Sequence, residues 1–430
     1  MEFTAIKGFK DILPEEVGPW QRVEHTARAV FRAFGFQEIR TPLLEVTELF
    51  SRSIGEETDI VSKEMYTLSD SKGKGLTLRP EATASILRAY IQHRLYQNQP
   101  ISKLYTIGPM FRHERPQKGR FRQFHQLDAE ILGDPGPKSD AEIILLAMEL
   151  FRALGLSGPV LRVNSLGCPV CRPRFREELK DYLRQKTALL CPDCRRRSET
   201  NPLRVFDCKV ETCRSVVADA PAILSFICAD CEKHFAEVRA LLQASGPTPI
   251  VDVRLVRGLD YYSRTTFEIQ TDRLGSQNAV VGGGRYDDLI RQLGGPDHPG
   301  IGFALGVERL VSLLEEGVER KTEGPDLFLA ALGKEAEDRA FEWALELRRA
   351  GIRVEMEYAS KGLKAQLKTA DRLRAAKVLI VGENELSAGK ALLRDMAARS
   401  QQEVPLEGLV ERLKEMLRDS KLETGNLTVS

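Results

Sequence analysis

The chain has 430 residues, 42% apolar and 29% charged, which suits a globular protein too long for one ordinary core, so two or three domains are expected. Its 63 Lys and Arg nearly cancel its 62 Asp and Glu to leave +1, so a nucleic-acid partner would need a local basic patch. The most apolar run, Ile143 to Phe151, is broken by Glu149 and too short to span a bilayer, and the opening M-E-F-T-A-I-K-G-F-K-D-I-L-P carries no export signal; a soluble cytoplasmic protein is expected.

In chain order, Trp20, Val23, Ala27, Val30, Phe31 and Phe34 recur at three and four, the spacing of an amphipathic helix stopped by Gly35. Phe36 to Thr41 reads as a strand closed by Pro42. The run L-T-L-R-P-E-A-T-A-S-I-L-R-A-Y reads as a strand entering a helix near Pro80, with Glu81 and Thr83 in its first turn. An acid at that place could simply cap the helix.

Lys103 to Leu132 predicts a long antiparallel hairpin around a polar turn at 114–120, where Pro116 and Gly119 stop either strand continuing. Alternation puts His125, Leu127, Ala129 and Ile131 on one face of the second arm. Arg122, Phe124, Gln126, Asp128 and Glu130 fall on the other, with Arg112 arriving from the first arm. An aromatic among amide and carboxylates suits the floor of a pocket for a small polar ligand better than a solvated face.

Asp140 to Leu154 predicts a helix and Leu161 to Asn164 a strand. The composition then shifts: residues 165–245 carry every cysteine, many arginines and helices near Phe175–Lys186 and Cys231–Gln243, and read as an inserted module. Val251–Leu255 and Thr265–Thr271 are β-like; G-G-G-R-Y-D-D-L follows, and G-I-G-F-A-L-G-V-E-R-L reads as a strand feeding a helix. After a polar linker at 317–325, strands at Asp326–Leu332, Ile352–Tyr358 and Val378–Gly382 alternate with helices at Glu335–Ala350 and Leu363–Ala375, a βαβ pattern closed by a helix at Pro405–Arg418.

Arg112, Arg120, Arg257 and Arg309 sit in motif-like settings, and several planar guanidiniums converging on one pocket suit a polyphosphate. Neither Gly282–Gly284 nor G-I-G-F-A-L-G has Walker or dinucleotide spacing, so the glycines alone signify tight turns or close backbone approach. Eight cysteines clustered in a reducing compartment argue for metal or spare thiols over disulfides. Cys168-x2-Cys171 and Cys191-x2-Cys194 have the spacing of a two-knuckle structural zinc site, and Cys208-x4-Cys213 with Cys228-x2-Cys231 could complete a second.

The order of these segments resembles a class II aminoacyl-tRNA synthetase, and within that class the histidyl-tRNA synthetase family. The Trp20–Phe34 helix and following strand are similar to motif 1, the F-R-H-E hairpin to motif 2, and G-I-G-F-A-L-G-V-E-R-L to motif 3. L-V-R-G-L-D-Y-Y (Leu255 to Tyr262) and V-V-G-G-G-R-Y-D-D-L resemble the two histidine-specific motifs. The likeness implies an α+β fold: an antiparallel-sheet catalytic core (1–164 and 246–320), a helical insertion (165–245) and a C-terminal α/β anticodon-binding domain (325–420).

It further implies two-step chemistry, in which ATP activates histidine to the adenylate with release of pyrophosphate and the histidyl group passes to tRNA(His). Arg112 and Arg257 would act on the α-phosphate, Arg257 standing where other class II enzymes place a magnesium ion, although ATP itself would enter with Mg2+. Arg309 would hold the γ-phosphate with Arg120 nearby, and Phe124 would stack on adenine. Glu130 and Tyr262 would meet the imidazole nitrogens, Glu81, Thr83 and Gln126 the α-amino group, and Tyr261 would line the same pocket. A homodimer with motif 1 in its interface is implied too. The paired cysteines are not a general feature of the family, so the likeness is silent on zinc at Cys168, Cys171, Cys191 and Cys194. The related regulatory subunit of ATP phosphoribosyltransferase typically lacks the anticodon domain and has degraded catalytic motifs, whereas this chain keeps Arg112, Arg257, Arg309 and the C-terminal layer.

Overall fold

The computed structural model describes residues 3–55, 58–116, 119–274, 278–315 and 324–425. The expected turn residues 117 and 118 and most of the linker at 317–325 lie outside these. The chain divides into two compact units, Met1–Glu319 and Arg320–Ser430. Among the described residues no single helix is long and apolar enough to cross a membrane.

The first unit is built on an eight-stranded sheet in the order Gln37–Glu38, Ser102–Phe111, Gln123–Leu132, Gly300–Gly306, Ala279–Arg285, Ser263–Gln270, Val160–Ser165, Ile250–Val251. All neighbours pair antiparallel except the two short edge strands, which lie parallel to theirs. The hairpin forms as its alternation predicts, with Ser102 opposite Leu132 and Phe111 opposite Gln123.

One face of the sheet is the core. Leu127, Ala129, Ile131, Ile301, Phe303 and Leu305 pack there under the helices Val17–Ala33, Pro137–Ala153 and Val307–Glu315. The helix Ala229–Ala244, read as part of the insertion, adds Phe235, Val238 and Leu242 to this same core. The opposite face keeps Phe124, Gln126 and Glu130, so one period-two pattern separates core from site.

The glycine-rich runs are not turns. They lie mid-strand, and side chains from neighbouring elements cross directly over them. A Cβ on Gly282 would fall 1.8 Å from Arg257 Nη2, and one on Gly302 1.6 Å from Glu130 Oε2. Glycine there is a steric requirement for the two side chains to lie flat on the sheet.

The second unit is a five-stranded mixed sheet in the order Val354–Met356, Leu327–Leu332, Lys377–Gly382, Lys390–Asp395, Gln401–Pro405. Its first three strands are parallel, as the βαβ pattern predicts, with Lys334–Arg349 and Leu409–Gly425 covering one face and Leu363–Arg372 the other. The last two strands went unread because Q-Q-E-V-P buries only Val404 and K-A-L-L-R-D is short for a periodic signal.

Candidate active site

A cavity of about 430 Å³ lies on the non-core face of the large sheet. Arg112, Arg120, Arg257 and Arg309 line it together with Phe124, Glu81, Thr83, Gln126, Tyr261 and Tyr262. Ten of the eleven residues singled out for ATP or histidine thus share one space. The eleventh, Glu130, does not line it.

Each cation is held by backbone or a carboxylate. Arg112 Nε donates to the Pro80 carbonyl at 2.8 Å, and its guanidinium lies 5.3 Å from the centre of the Phe124 ring, a cation–π contact. Arg120 pairs with Glu114 at 2.8 Å, and Arg309 donates to the Ala279 carbonyl. Arg257 pairs with Glu268, while its buried Nε donates to nothing. Burial works against the charge on Arg257, but Glu268, Tyr262 and Asp207 outweigh it and raise its pKa. For Arg309 burial and the nearby Arg120 act together to lower it.

Hydroxyls and carboxyls line the cavity beside the arginines. Glu81 does cap the helix Thr83–Gln92, accepting from the amides of Thr83 at 2.9 Å and Ala84 at 2.8 Å, and it lines the cavity as well. The cap and the ligand reading are therefore both served by one side chain. Gln126 is 8% exposed, and its Oε1 accepts no hydrogen bond, an orphaned acceptor in the cavity wall. Tyr261 and Tyr262 lie with ring centres 4.6 Å apart and planes tilted by 47°, and Tyr286 meets Tyr261 edge-on at 5.6 Å.

Glu130, expected against an imidazole nitrogen, stands behind the wall at 1% exposure. Its Oε1 accepts from Thr83 Oγ1 at 2.7 Å and its Oε2 from the Tyr286 hydroxyl, so both oxygens are taken by residues that do line the cavity. Burial pushes Glu130 up to about 8, against the two hydroxyl hydrogen bonds that pull it down. Tyr286 was missed by the sequence reading although it sits inside the quoted G-G-G-R-Y-D-D run.

The loop 257–262 is fixed from the insertion. Arg172 donates to the Tyr262 carbonyl at 2.5 Å, and Arg204 to the Gly258 carbonyl at 2.5 Å and to Asp260 at 3.2 Å. The expected metal set is corrected here. Cys168 and Cys171 converge with Cys228 and Cys231, whereas Cys191 and Cys194 converge with Cys208 and Cys213. The helix Arg172–Gln185 has 14 residues. It therefore spans roughly 20 Å at 1.5 Å per residue, which carries the Cys191 knuckle away from the Cys168 knuckle.

Comparison with known proteins agrees with this geometry. The family model for histidyl-tRNA synthetase matches residues 8–310, and that for an anticodon binding domain matches residues 326–416. A histidine–tRNA ligase of Desulfosudis oleivorans is 58% identical over 93% of this chain and 95% of its own length. One from Geobacter sulfurreducens is 54% identical over 94% of this chain and 97% of its own. The crystal structure of apo Staphylococcus aureus histidyl-tRNA synthetase superposes with a TM-score of 0.81 at 35% identity, covering 96% of this chain and all of that one. With these matches, and with the arginines and the hydroxyl-bearing residues lining one cavity, the chain belongs to the histidyl-tRNA synthetase family of class II aminoacyl-tRNA ligases.

Proposed function

We propose that the chain is a histidine–tRNA ligase: it joins L-histidine to ATP as histidyl-adenylate, releasing pyrophosphate, and passes the histidyl group to the 3′ end of tRNA(His). One observation carries this, the cavity that Arg112, Arg120, Arg257 and Arg309 line together with Gln126, Thr83 and two tyrosines. Charge builds on the α-phosphate during in-line displacement, so the chemistry calls for fixed cations and positioning. Arg112 and Arg257 supply them at the α-phosphate, and Arg309 and Arg120 hold the outer phosphates. ATP brings Mg2+ as its own counter-ion. Pyrophosphate exchange measured with each of the twenty amino acids tests the reading; exchange promoted best by any other than histidine overturns it.

For the amino acid, the orphaned Oε1 of Gln126 and the carboxylate of Glu81 take the α-ammonium with Thr83. Tyr262 meets one imidazole nitrogen. Glu130 reaches the other through Tyr286, whose hydroxyl is held by the Glu130 carboxyl and presents its oxygen to the ring. Such a slot discriminates against apolar isosteres by about 10⁴ or more, since its own polar groups would be stranded.

Two outcomes follow at this site. Because the folded value of Glu130, about 8, lies above its ordinary 4.5, the folded protein holds that proton more tightly than the unfolded chain. Its share of stability is full below the unfolded value and is lost as pH climbs through the folded one. Glu130→Gln cannot ionise, so the fall in thermal midpoint between about pH 4.5 and about pH 8 should flatten while KM for histidine rises several-fold. An unchanged KM sinks the relay. Phe124→Ala should raise KM for ATP by about tenfold, the worth of one aromatic stack, and leave that for histidine nearly unmoved; equal rises in both would remove the ring from the adenine site.

We divide the chain into a core at 1–164 and 246–320, an insertion at 165–245 against the tRNA acceptor end, and an anticodon-binding domain at 325–420; the two family matches support the last boundary. The chain works as a homodimer in this reading. Leu43 and Leu44, exposed just past the short edge strand, are the apolar surface it would cover, and a monomer by sedimentation at micromolar concentration overturns it.

A further inference from the structure

The eight cysteines are all free thiols and fall into two groups of four, one drawn from the first and last knuckles of the chain and the other from the two knuckles between them. In each group all four sulfurs lie within 4.8 Å of one another. In the first, Cys168 and Cys171 are 3.7 Å apart, Cys168 and Cys228 3.9 Å, and Cys171 and Cys231 3.9 Å. In the second, Cys191 and Cys208 are 3.9 Å apart. A tetrahedron of sulfurs at about 2.3 Å from one zinc ion has edges of about 3.8 Å, so these spacings are those of a mononuclear thiolate centre. They are far longer than the roughly 2.0 Å of a disulfide, and four sulfurs this close leave no room for an iron–sulfur cube.

The surrounding backbone is arranged to match. The amide of Cys168 donates to Cys171 Sγ at 3.2 Å, and the amide of Cys191 to Cys213 Sγ at 3.2 Å, the outer-shell bonds that orient metal-bound thiolates. Gly167 takes φ +64° immediately before the first knuckle, and a Cβ there would lie 2.8 Å from Cys171 Sγ. Only glycine lets the chain turn that tightly around the sulfur.

We propose that the insertion carries two structural zinc ions in nested order: an outer centre of Cys168, Cys171, Cys228 and Cys231, and an inner one of Cys191, Cys194, Cys208 and Cys213. The outer centre clasps the start of the insertion to its last helix, Ala229–Ala244, where the chain rejoins the core. The inner centre closes the distal lobe. Four thiolates complete each tetrahedron, so neither ion has a position for substrate. Both lie next to the residues that hold the 257–262 loop. Arg172 follows Cys171 and ties the carbonyls of Leu166 and Gly167 to that of Tyr262. Arg204 precedes Cys208 on the turn Pro202–Asp207 and ties Gly258 and Asp260.

The test is elemental analysis of the full-length protein, purified under reductant after growth with zinc, and it does not depend on which amino acid is activated. Two zinc ions per chain are expected, with zinc-edge X-ray absorption fitting four sulfurs at about 2.3 Å. Fewer than about 0.2 zinc per chain, iron in its place, or disulfides by mass spectrometry overturn the proposal. Paired variants then test the nesting. Cys168→Ser with Cys228→Ser should keep one zinc, and Cys168→Ser with Cys191→Ser should keep none. The reverse pattern would restore consecutive pairing and overturn the nested one. Should the variants precipitate, the wild-type count and sulfur number still decide, since a single ion per chain contradicts two centres.

Discussion

Arg257→Ala should lower histidine-dependent pyrophosphate exchange by about 10³-fold while histidine still binds, because it removes a fixed cation from the place where charge builds. The loss exceeds that of an ordinary surface charge for two reasons visible in the packing. Arg257 lies across Gly282, so its guanidinium is held flat on the sheet and needs no reorganisation when the α-phosphate becomes more negative. Its partner Glu268, 2.8 Å from Gln270 on the same strand, would also be left as an uncompensated carboxylate facing the triphosphate. Arg257→Lys restores charge without the planar fork and should recover only part of the rate. Glu268→Gln, which relieves the competition for Arg257, should lower KM for ATP. Arg257→Ala retaining more than about a tenth of wild-type exchange would remove this residue from the reacting phosphate.

How much of this was legible in the sequence depends on the range of the interaction. The hairpin and its two faces follow from alternation, a local signal, and so did Phe124 and Gln126 as cavity residues. Glu81 and Thr83 were readable from the strand–Pro–helix junction, where a helix start puts an acid beside its own amides. What failed was long-range. For the triple glycine the sequence leaves tight turns and close approach both open, because nothing nearby shows that Arg257 crosses over Gly282 from another segment. Tyr286 was passed over because its partner Glu130 is 156 residues away. The cysteine pairing failed for the same reason: spacing favours the next knuckle along the chain, but the intervening helix is rigid and points it elsewhere.

The arginine of the G-G-G-R-Y run illustrates the converse, a motif residue whose work is structural. Arg285 is fully buried, and every donor of its guanidinium is engaged. It pairs with Asp140, donates to the carbonyls of Asp134 and Gly136 at 2.9 and 3.0 Å, and reaches Ser139 and Asp287. His234 Nε2 lies 2.8 Å from the second oxygen of Asp140, linking the last helix of the insertion to the same knot. Burial alone would raise the Asp140 carboxyl, but Arg285 and His234 outweigh it and hold it below its ordinary value. Its contribution is therefore present at neutral pH and lost only as pH falls through that depressed value.

Asp140→Ala should accordingly destabilise the first unit by about 3–5 kcal/mol, because it strands a buried guanidinium that cannot shed its proton. Arg285→Met strands the carboxylate instead, which can protonate, so its cost should be smaller and should shrink further in acid. Combining Asp140→Leu with Arg285→Met should recover a large part of the loss, since an apolar pair of similar volume removes both of the buried charges together. Urea unfolding of the three variants at neutral pH reads this directly. A cost for Asp140→Ala below about 1 kcal/mol, or a double variant no more stable than Asp140→Ala, would show that the pair is neither isolated from water nor coupled. Since Arg285 precedes Tyr286 on the strand end that supports Glu130, the stability lost here should also appear as a raised KM for histidine in Arg285→Met at temperatures where the protein remains folded.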